Sequence, residues 1–250
     1  MALCLTPILP CAWALTPLRF GLILVVTVAF AGVGHLVRGV SRSGAIVGGM
    51  VCFVLFACTG PGAFAALFSV FAVTWLATRM GRARKLRLGT AERGEGRTAS
   101  QVLANLGVAT LCAAMFGWKG DAYFLLAMAA ALAEAAADTV SSECGQAHSE
   151  NAHLITTSER VPAGTNGGIT WVGTLAGAGA ALLVSSVCLL TGVPTHWIWI
   201  PAVSGVLGML ADSFLGALVE RRGRMGNDAV NFTSTALAAA IAAGLLRVAG

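Results

Sequence analysis

Charge is what this sequence has least of: Lys, Arg, Asp and Glu together make up 11% of its 250 residues, against about 25% in an ordinary soluble domain. With 57% hydrophobic residues, that scarcity excludes a water-soluble core inside a solvated shell. Period-two alternation is also missing. Runs such as Leu125 to Ala137 and Ala236 to Leu246 are apolar on all sides, which excludes a transmembrane β-barrel. The seven cysteines include no C-x-x-C pair, and no His stands at zinc-ligand spacing, so neither a disulfide framework nor a zinc centre is expected. The phosphate-loop pattern G-x-x-x-x-G-K-[ST] is absent. No Lys or Arg precedes Arg19, and Pro7 and Pro10 interrupt the first apolar run, which argues against a cleaved signal peptide. Residues 1–18 read as a leader of uncertain structure and 19–250 as a single integral membrane domain.

What the sequence does hold is apolar runs of bilayer length, and a helix needs roughly 20 mainly apolar residues to span. The fold class is all-α, a polytopic bundle with spans near 20–37, 43–59, 61–80, 101–118, 121–140, 168–190, 197–216 and 229–248; the short second run leaves seven spans open. With eight spans and the N-terminus outside, 13 of the 16 basic residues fall on the inner side, leaving out Arg19, Lys119 and Arg247. Positive charge is retained in cytoplasmic loops. The expected location is the bacterial cytoplasmic (inner) membrane, with the polar loops facing the cytoplasm. The net charge of +5 then reflects topology and an anionic ligand rather than nucleic acid.

Polar residues gather at the inner helix ends. The loop GRARKLRLGTAERGEGRTASQVLANLG, residues 81–107, reads either as a basic anchor for lipid headgroups or as a loop folding over phosphates, with Gln101 and Asn105 placing amides one turn apart. In AEAAADTVSSECG, residues 133–145, Asp138 and Glu143 are the first choice of divalent-metal ligands. Five residues apart on a helix they diverge by about 140°, so joint ligation requires the helix to end near Ser142. A structural ion pair with an arginine is the alternative. VPAGTNGGITWVG, residues 161–173, reads as a turn whose Asn166, Gly167 and Gly168 amides stay free for an anion at a helix start. On that reading Gly167→Val weakens nucleotide or phosphate binding and leaves assembly mostly intact; a plain re-entrant turn with a helix cap, needing no ligand, is the alternative. Gly205, Gly208, Asp212 and Gly216 share one helical stripe, turning Asp212 toward a helix contact, and Asn227, Asn231 and Ser234 share a face of the last span.

GRARKLRLG with QVLAN, then ADTVSSECG, VPAGTNGGIT, GMLADSFLGA and NDAVNF, in this order over roughly residues 40–248, resemble the motifs of the family called domain of unknown function 92. That family includes transmembrane protein 19-like proteins and the plant phytyl-phosphate kinase of tocopherol synthesis. Val140 and Cys144 depart from its pattern, whereas the charged and glycine positions are intact. The resemblance implies a membrane kinase that moves a phosphoryl group from a nucleoside triphosphate, with CTP a candidate, to a polyprenyl or phytyl-type monophosphate drawn from the bilayer. In that scheme Asp138, Glu143 and Asp212 hold Mg2+, while Lys85, Arg97 and the Asn166, Gly167 and Gly168 amides bind phosphates. Asn105 and Asn231 orient the acceptor, and Thr165, Ser213 and Asn227 complete the substrate-binding set. The rival class is a transporter or exporter of an anionic lipid or metabolite. Such a protein binds near the midplane on related halves, and no internal repeat is visible.

Overall fold

The structure, a computed structural model, describes residues 16–91 and 94–249. The leader up to residue 15, with Cys4 and Cys11, and Glu92, Arg93 and Gly250 lie outside the described residues. Among the described residues nine α-helices and a small sheet follow one another as α1 (Pro17–Leu36), α2 (Arg42–Thr59), α3 (Pro61–Arg79), α4 (Arg82–Leu88), α5 (Ala99–Lys119), α6 (Ala122–His148), β1 (Asn151–Leu154), β2 (Arg160–Pro162), β3 (Gly168–Ile169), α7 (Trp171–Cys188), α8 (Trp199–Leu215) and α9 (Asn227–Ala249). Every α-helix but α4 is long and apolar enough to cross a bilayer, so the described residues hold eight candidate spans rather than seven.

The ends obey local chemistry. Pro17 and Pro61 open α1 and α3 at the one turn where a missing N–H costs nothing. Ser41 and Thr170 cap α2 and α7 by accepting from Gly44 N and Gly173 N, and Thr98 forms a capping box with Gln101 at the start of α5. Gln101 is thereby committed to the helix end, since its Oε1 accepts from Thr98 N at 2.8 Å.

α6 is the axis of the bundle, with 83% of its most apolar window buried against 17–39% in the other spans. It packs against α3, α5, α7, α8 and α9. Its alanine-rich run from Leu125 to Ala137 is buried on every side. Between helices in lipid, small residues gain attraction through close backbone approach. Gly177 and Gly205 supply that approach from α7 and α8: a Cβ on Gly177 would lie 2.7 Å from Ala137 O, and one on Gly205 would lie 2.9 Å from Ala133 Cβ. Large side chains such as Leu24, Leu111, Leu175 and Leu207 point outward, toward the lipid such a bundle requires.

Three features differ from the sequence reading. α6 does not end near Ser142 but runs on to His148. The basic segment after α3 folds into the seven-residue helix α4, flanked by Gly81 and Gly89 in the left-handed conformation. Between α6 and α7 lies an antiparallel sheet in the order β2-β1-β3, sealed by Ala152, Leu154 and Val161.

Candidate functional site

Because successive spans run in opposite directions, the C-terminal ends of α3, α6 and α8 meet the N-terminal ends of α5, α7 and α9 at one end of the bundle. A polar chamber of about 210 Å³ opens there, lined by Asp138, Ser141 and Gln146 of α6, Thr165, Asn166, Gly167 and Gly168 of the β2–β3 turn, Asp212, Ser213 and Glu220 of α8 and its extension, and Asn227 and Asn231 of α9. Three carboxylates face it, and no Lys or Arg is among its described lining residues.

The stripe on α8 delivers Asp212 to this place. A Cβ on Gly208 would lie 2.6 Å from Glu134 Cγ and 2.8 Å from Ala238 Cβ, so the helix is clamped between α6 and α9. Asp138 and Asp212 then stand close enough to share a hydrogen bond. Asp212 Oδ2 accepts from Ser234 Oγ at 3.2 Å. With its amide turned to satisfy both ends, Asn231 donates to Asp212 Oδ2 at 3.2 Å and accepts from Asn105 Nδ2 at 3.2 Å. Glu134 lies one turn deeper on α6, 1% exposed, and its Oε1 has no partner among the described residues. Past Leu215, α8 widens into a π-helical turn over Gly216–Glu220, a form that recurs at functional sites. There Asn166 donates to Glu220.

Two adjacent carboxylates repel unless a proton or a cation lies between them. Besides Asp138, the groups that hold Asp212 among the described residues are the neutral donors Ser234 and Asn231. No three His, Cys, Asp or Glu side chains converge as a ready metal cage among the described residues. Mg2+ does not require one, because it is commonly held by one or two carboxylates together with substrate phosphates and water. The Asp138–Asp212 pair suits that arrangement.

Glu143 is not brought to this pair, because the uninterrupted helix turns it to another side of α6. It meets Lys85 instead, with Lys85 Nζ to Glu143 Oε2 at 2.6 Å. Lys85 also donates to Ala77 O at 3.0 Å and Thr78 O at 2.9 Å. All three ammonium donors are used and only 1% of the side chain is exposed, so the expected phosphate contact is replaced by a strut locking α4 to α3 and α6. The Asn-Gly-Gly segment is likewise not a helix start. Gly167 and Gly168 belong to the β2–β3 turn and β3, Gly168 N donates to Thr165 O at 2.8 Å, and α7 begins only at Trp171 under the Thr170 cap.

Arg97 and Asn105 stand behind the carboxylate pair. Arg97 Nη2 donates to Thr139 Oγ1 at 3.1 Å, and its charge acts on Asp138. The backbone on either side of Arg97 joins the α1–α2 loop, through Ser41 N to Arg97 O and Arg97 N to Gly39 O. The site residues read from the sequence omit Glu220, Glu134, Ser141 and Gln146, whereas Ser234 is already placed there on one face with Asn227 and Asn231. Glu220 was within reach of it, since the stripe Gly208, Asp212, Gly216 continues to Glu220 at the same four-residue step.

The comparisons bear on the same residues. The model of the family described as Integral membrane protein DUF92 matches residues 25–239, which include every element of the chamber. An uncharacterised membrane protein of Methanocaldococcus jannaschii is 34% identical over 79% of this chain and 82% of its own length. The chloroplastic protein VTE6 of Arabidopsis thaliana is 28% identical over 83% of this chain, which spans 65% of VTE6 and so just under two thirds of it. An uncharacterised membrane protein of Synechocystis is 30% identical over 77% of each chain. No solved structure matches. This chain is a member of the DUF92 family of integral membrane proteins.

Proposed function

We propose that this protein is a membrane-embedded phosphotransferase that moves the terminal phosphoryl group of a nucleoside triphosphate, CTP being one candidate, onto a polyprenyl or phytyl-type monophosphate. The observation that carries this reading is the pairing of Asp138 with Asp212 in a chamber at a membrane-facing end, with Arg97 directly behind it. The family resemblance of the ordered motifs supplies the reaction class. A transporter site would be expected near the bilayer midplane on two related halves, whereas Asp138 and Asp212 lie in the C-terminal halves of α6 and α8.

Mg2+ held by Asp138 and Asp212 would supply charge neutralisation for the nucleotide phosphates. Asn231 and Ser234 hold the Asp212 carboxylate in place, Asn166 and Glu220 set the position of the turn that walls the chamber, and Arg97, behind the pair, offsets negative charge at Asp138. An oxygen of the acceptor monophosphate forms the new P–O bond to the terminal phosphorus while the bond to the nucleoside diphosphate breaks. A monophosphate dianion and a triphosphate tetraanion become two trianions, and no proton need be removed. The chamber's described lining residues include no His, and this reaction needs none.

The test is purified protein in detergent with terminally labelled CTP, ATP, GTP or UTP and phytyl or geranylgeranyl monophosphate. Labelled prenyl diphosphate, formed only with Mg2+, is the expected product. Absence of transfer from all four donors would overturn the reading.

A further inference from the structure

A second chamber of about 440 Å³ lies on the other side of Arg97, between α1, α2, α3, α5 and the start of α4. Its charge is opposite to that of the first. Arg38, Arg79, Arg82 and Arg97 line it, beside Lys85, whose charge is spent on Glu143, and no carboxylate is among its described lining residues. Its deep wall is hydrocarbon, contributed by Phe30, Leu67, Val70, Phe71 and Leu106. Resting on the phosphotransferase reading above, we infer that this chamber holds the acceptor as a single-chain amphiphile, with the phosphate on the arginine rim and the chain along the apolar wall.

The rim is prepared for an anion. Arg79 is stacked over the Trp75 ring at 4.1 Å and donates through Nη2 to Val37 O, which leaves the rest of its guanidinium donors for a phosphate. Arg38 sits at φ 56, one of two non-glycine residues with positive φ among those described, and such strain is retained where surrounding contacts hold it. The same loop is tied to Arg97 through backbone bonds, so the rim and the carboxylate pair are mechanically joined. Chamber size is in the range of about 300–1,000 Å³ usual for small-molecule sites.

The deep wall decides between a lipid and a nucleotide. Its polar side chains are already engaged: Thr74 Oγ1 donates to Val70 O at 2.8 Å and Asn105 Nδ2 donates to Gln101 O at 2.8 Å. A nucleobase or ribose there would bury donors and acceptors without partners, which costs free energy, whereas a hydrocarbon chain has none to bury. Arg97 and Asn105 contribute to this chamber while touching Thr139 and Asn231 on the carboxylate side, so the two chambers adjoin at these two side chains.

Equilibrium binding in detergent without nucleotide or Mg2+ tests the inference, using phytyl monophosphate, phytol and inorganic phosphate as separate probes. Phytyl monophosphate should bind at least about tenfold more tightly than either of the others. Gly48 lines the chamber, and a Cβ there meets nothing within 4 Å, so Gly48→Leu fills space without a clash. Gly48→Leu and Arg79→Gln should each weaken phytyl monophosphate by at least about tenfold and leave CTP binding unchanged. Asp212→Asn should leave phytyl monophosphate binding unchanged. Displacement of phytyl monophosphate by CTP or phosphatidylglycerol, equal affinity for inorganic phosphate, or loss in Asp212→Asn but not in Arg79→Gln would each overturn the assignment. If this pattern holds while no donor transfers phosphate, the lipid-phosphate site stands and the kinase reading falls.

Discussion

Lys85 is a cation with almost no exposed surface, and two carbonyls and Glu143 take its three donors. Lys85→Met would strand the Glu143 carboxylate and both carbonyls. Breaking a buried pair from one side costs about 3–5 kcal/mol, so the thermal unfolding midpoint in detergent should drop sharply, with Glu143→Gln the milder change because its amide oxygen still accepts from the ammonium. A Lys85→Met protein as stable as the native one would return Lys85 to the substrate. Asp138 and Asp212 behave oppositely, since their role is charge rather than support. Asp138→Asn and Asp212→Asn each keep shape and hydrogen-bonding capacity, so both should fold with near-native midpoints and lose Mg2+-dependent transfer by about 100-fold or more. Near-full turnover in either variant would remove the metal role from that residue. The carboxylates were legible as residues that belong at a site, because ionisable groups in a span are costly; their pairing was not, because Asp138 and Asp212 are far apart in the chain.

The β2–β3 turn and the π-helical turn after α8 interlock through Gly167, which has φ +80 and would carry a Cβ 2.4 Å from Ala217 Cβ and 2.6 Å from Ala217 N. The sequence reading expects Gly167→Val to leave assembly mostly intact and weaken nucleotide or phosphate binding. Backbone contact with Ala217 replaces that expectation. Even Gly167→Ala should destabilise, by at least the roughly 1–3 kcal/mol of an overpacked contact, with added strain from the positive φ. Faster limited proteolysis between residues 150 and 170 and a lower unfolding midpoint should accompany it. An unchanged protease pattern would show that the turn can move away from Ala217. The sheet itself was hidden because its strands are two to four residues long, too short for a periodic signal. α4 was hidden because its basic side chains resemble a loop until Lys85 is buried. Most span boundaries were legible from hydropathy to within a few residues, but the end of α6 at His148 was not.

Across the whole molecule, the loops that carry the motifs meet at one end: Arg84 pairs with Glu150 at 3.1 Å, a Cβ on Gly164 would lie 2.5 Å from Thr90 Cγ2, and Gly167 seats on Ala217. Single cysteines placed at Gly89, Glu150 and Gly223 on a background without native Cys should therefore react from the same side of sealed vesicles. From the distribution of Lys and Arg we propose that this side is the cytoplasm. Labelling of any two from opposite sides would break the shared end and the site with it. The sequence by itself determined the helical class, eight runs of spanning length, the concentration of charge at one end and the identity of most polar residues there. Each of these depends on composition and local spacing measured against a bilayer of known thickness. Only the tertiary structure decided that Asp138 faces Asp212 while Glu143 serves Lys85, that Glu134 and Glu220 join the carboxylates, and that cations and anions line separate chambers on the two sides of Arg97. Those outcomes follow from which helices become neighbours and how each is rotated about its axis. Rotation is set by close contacts of small residues along α6, α7 and α8, between segments distant in the chain.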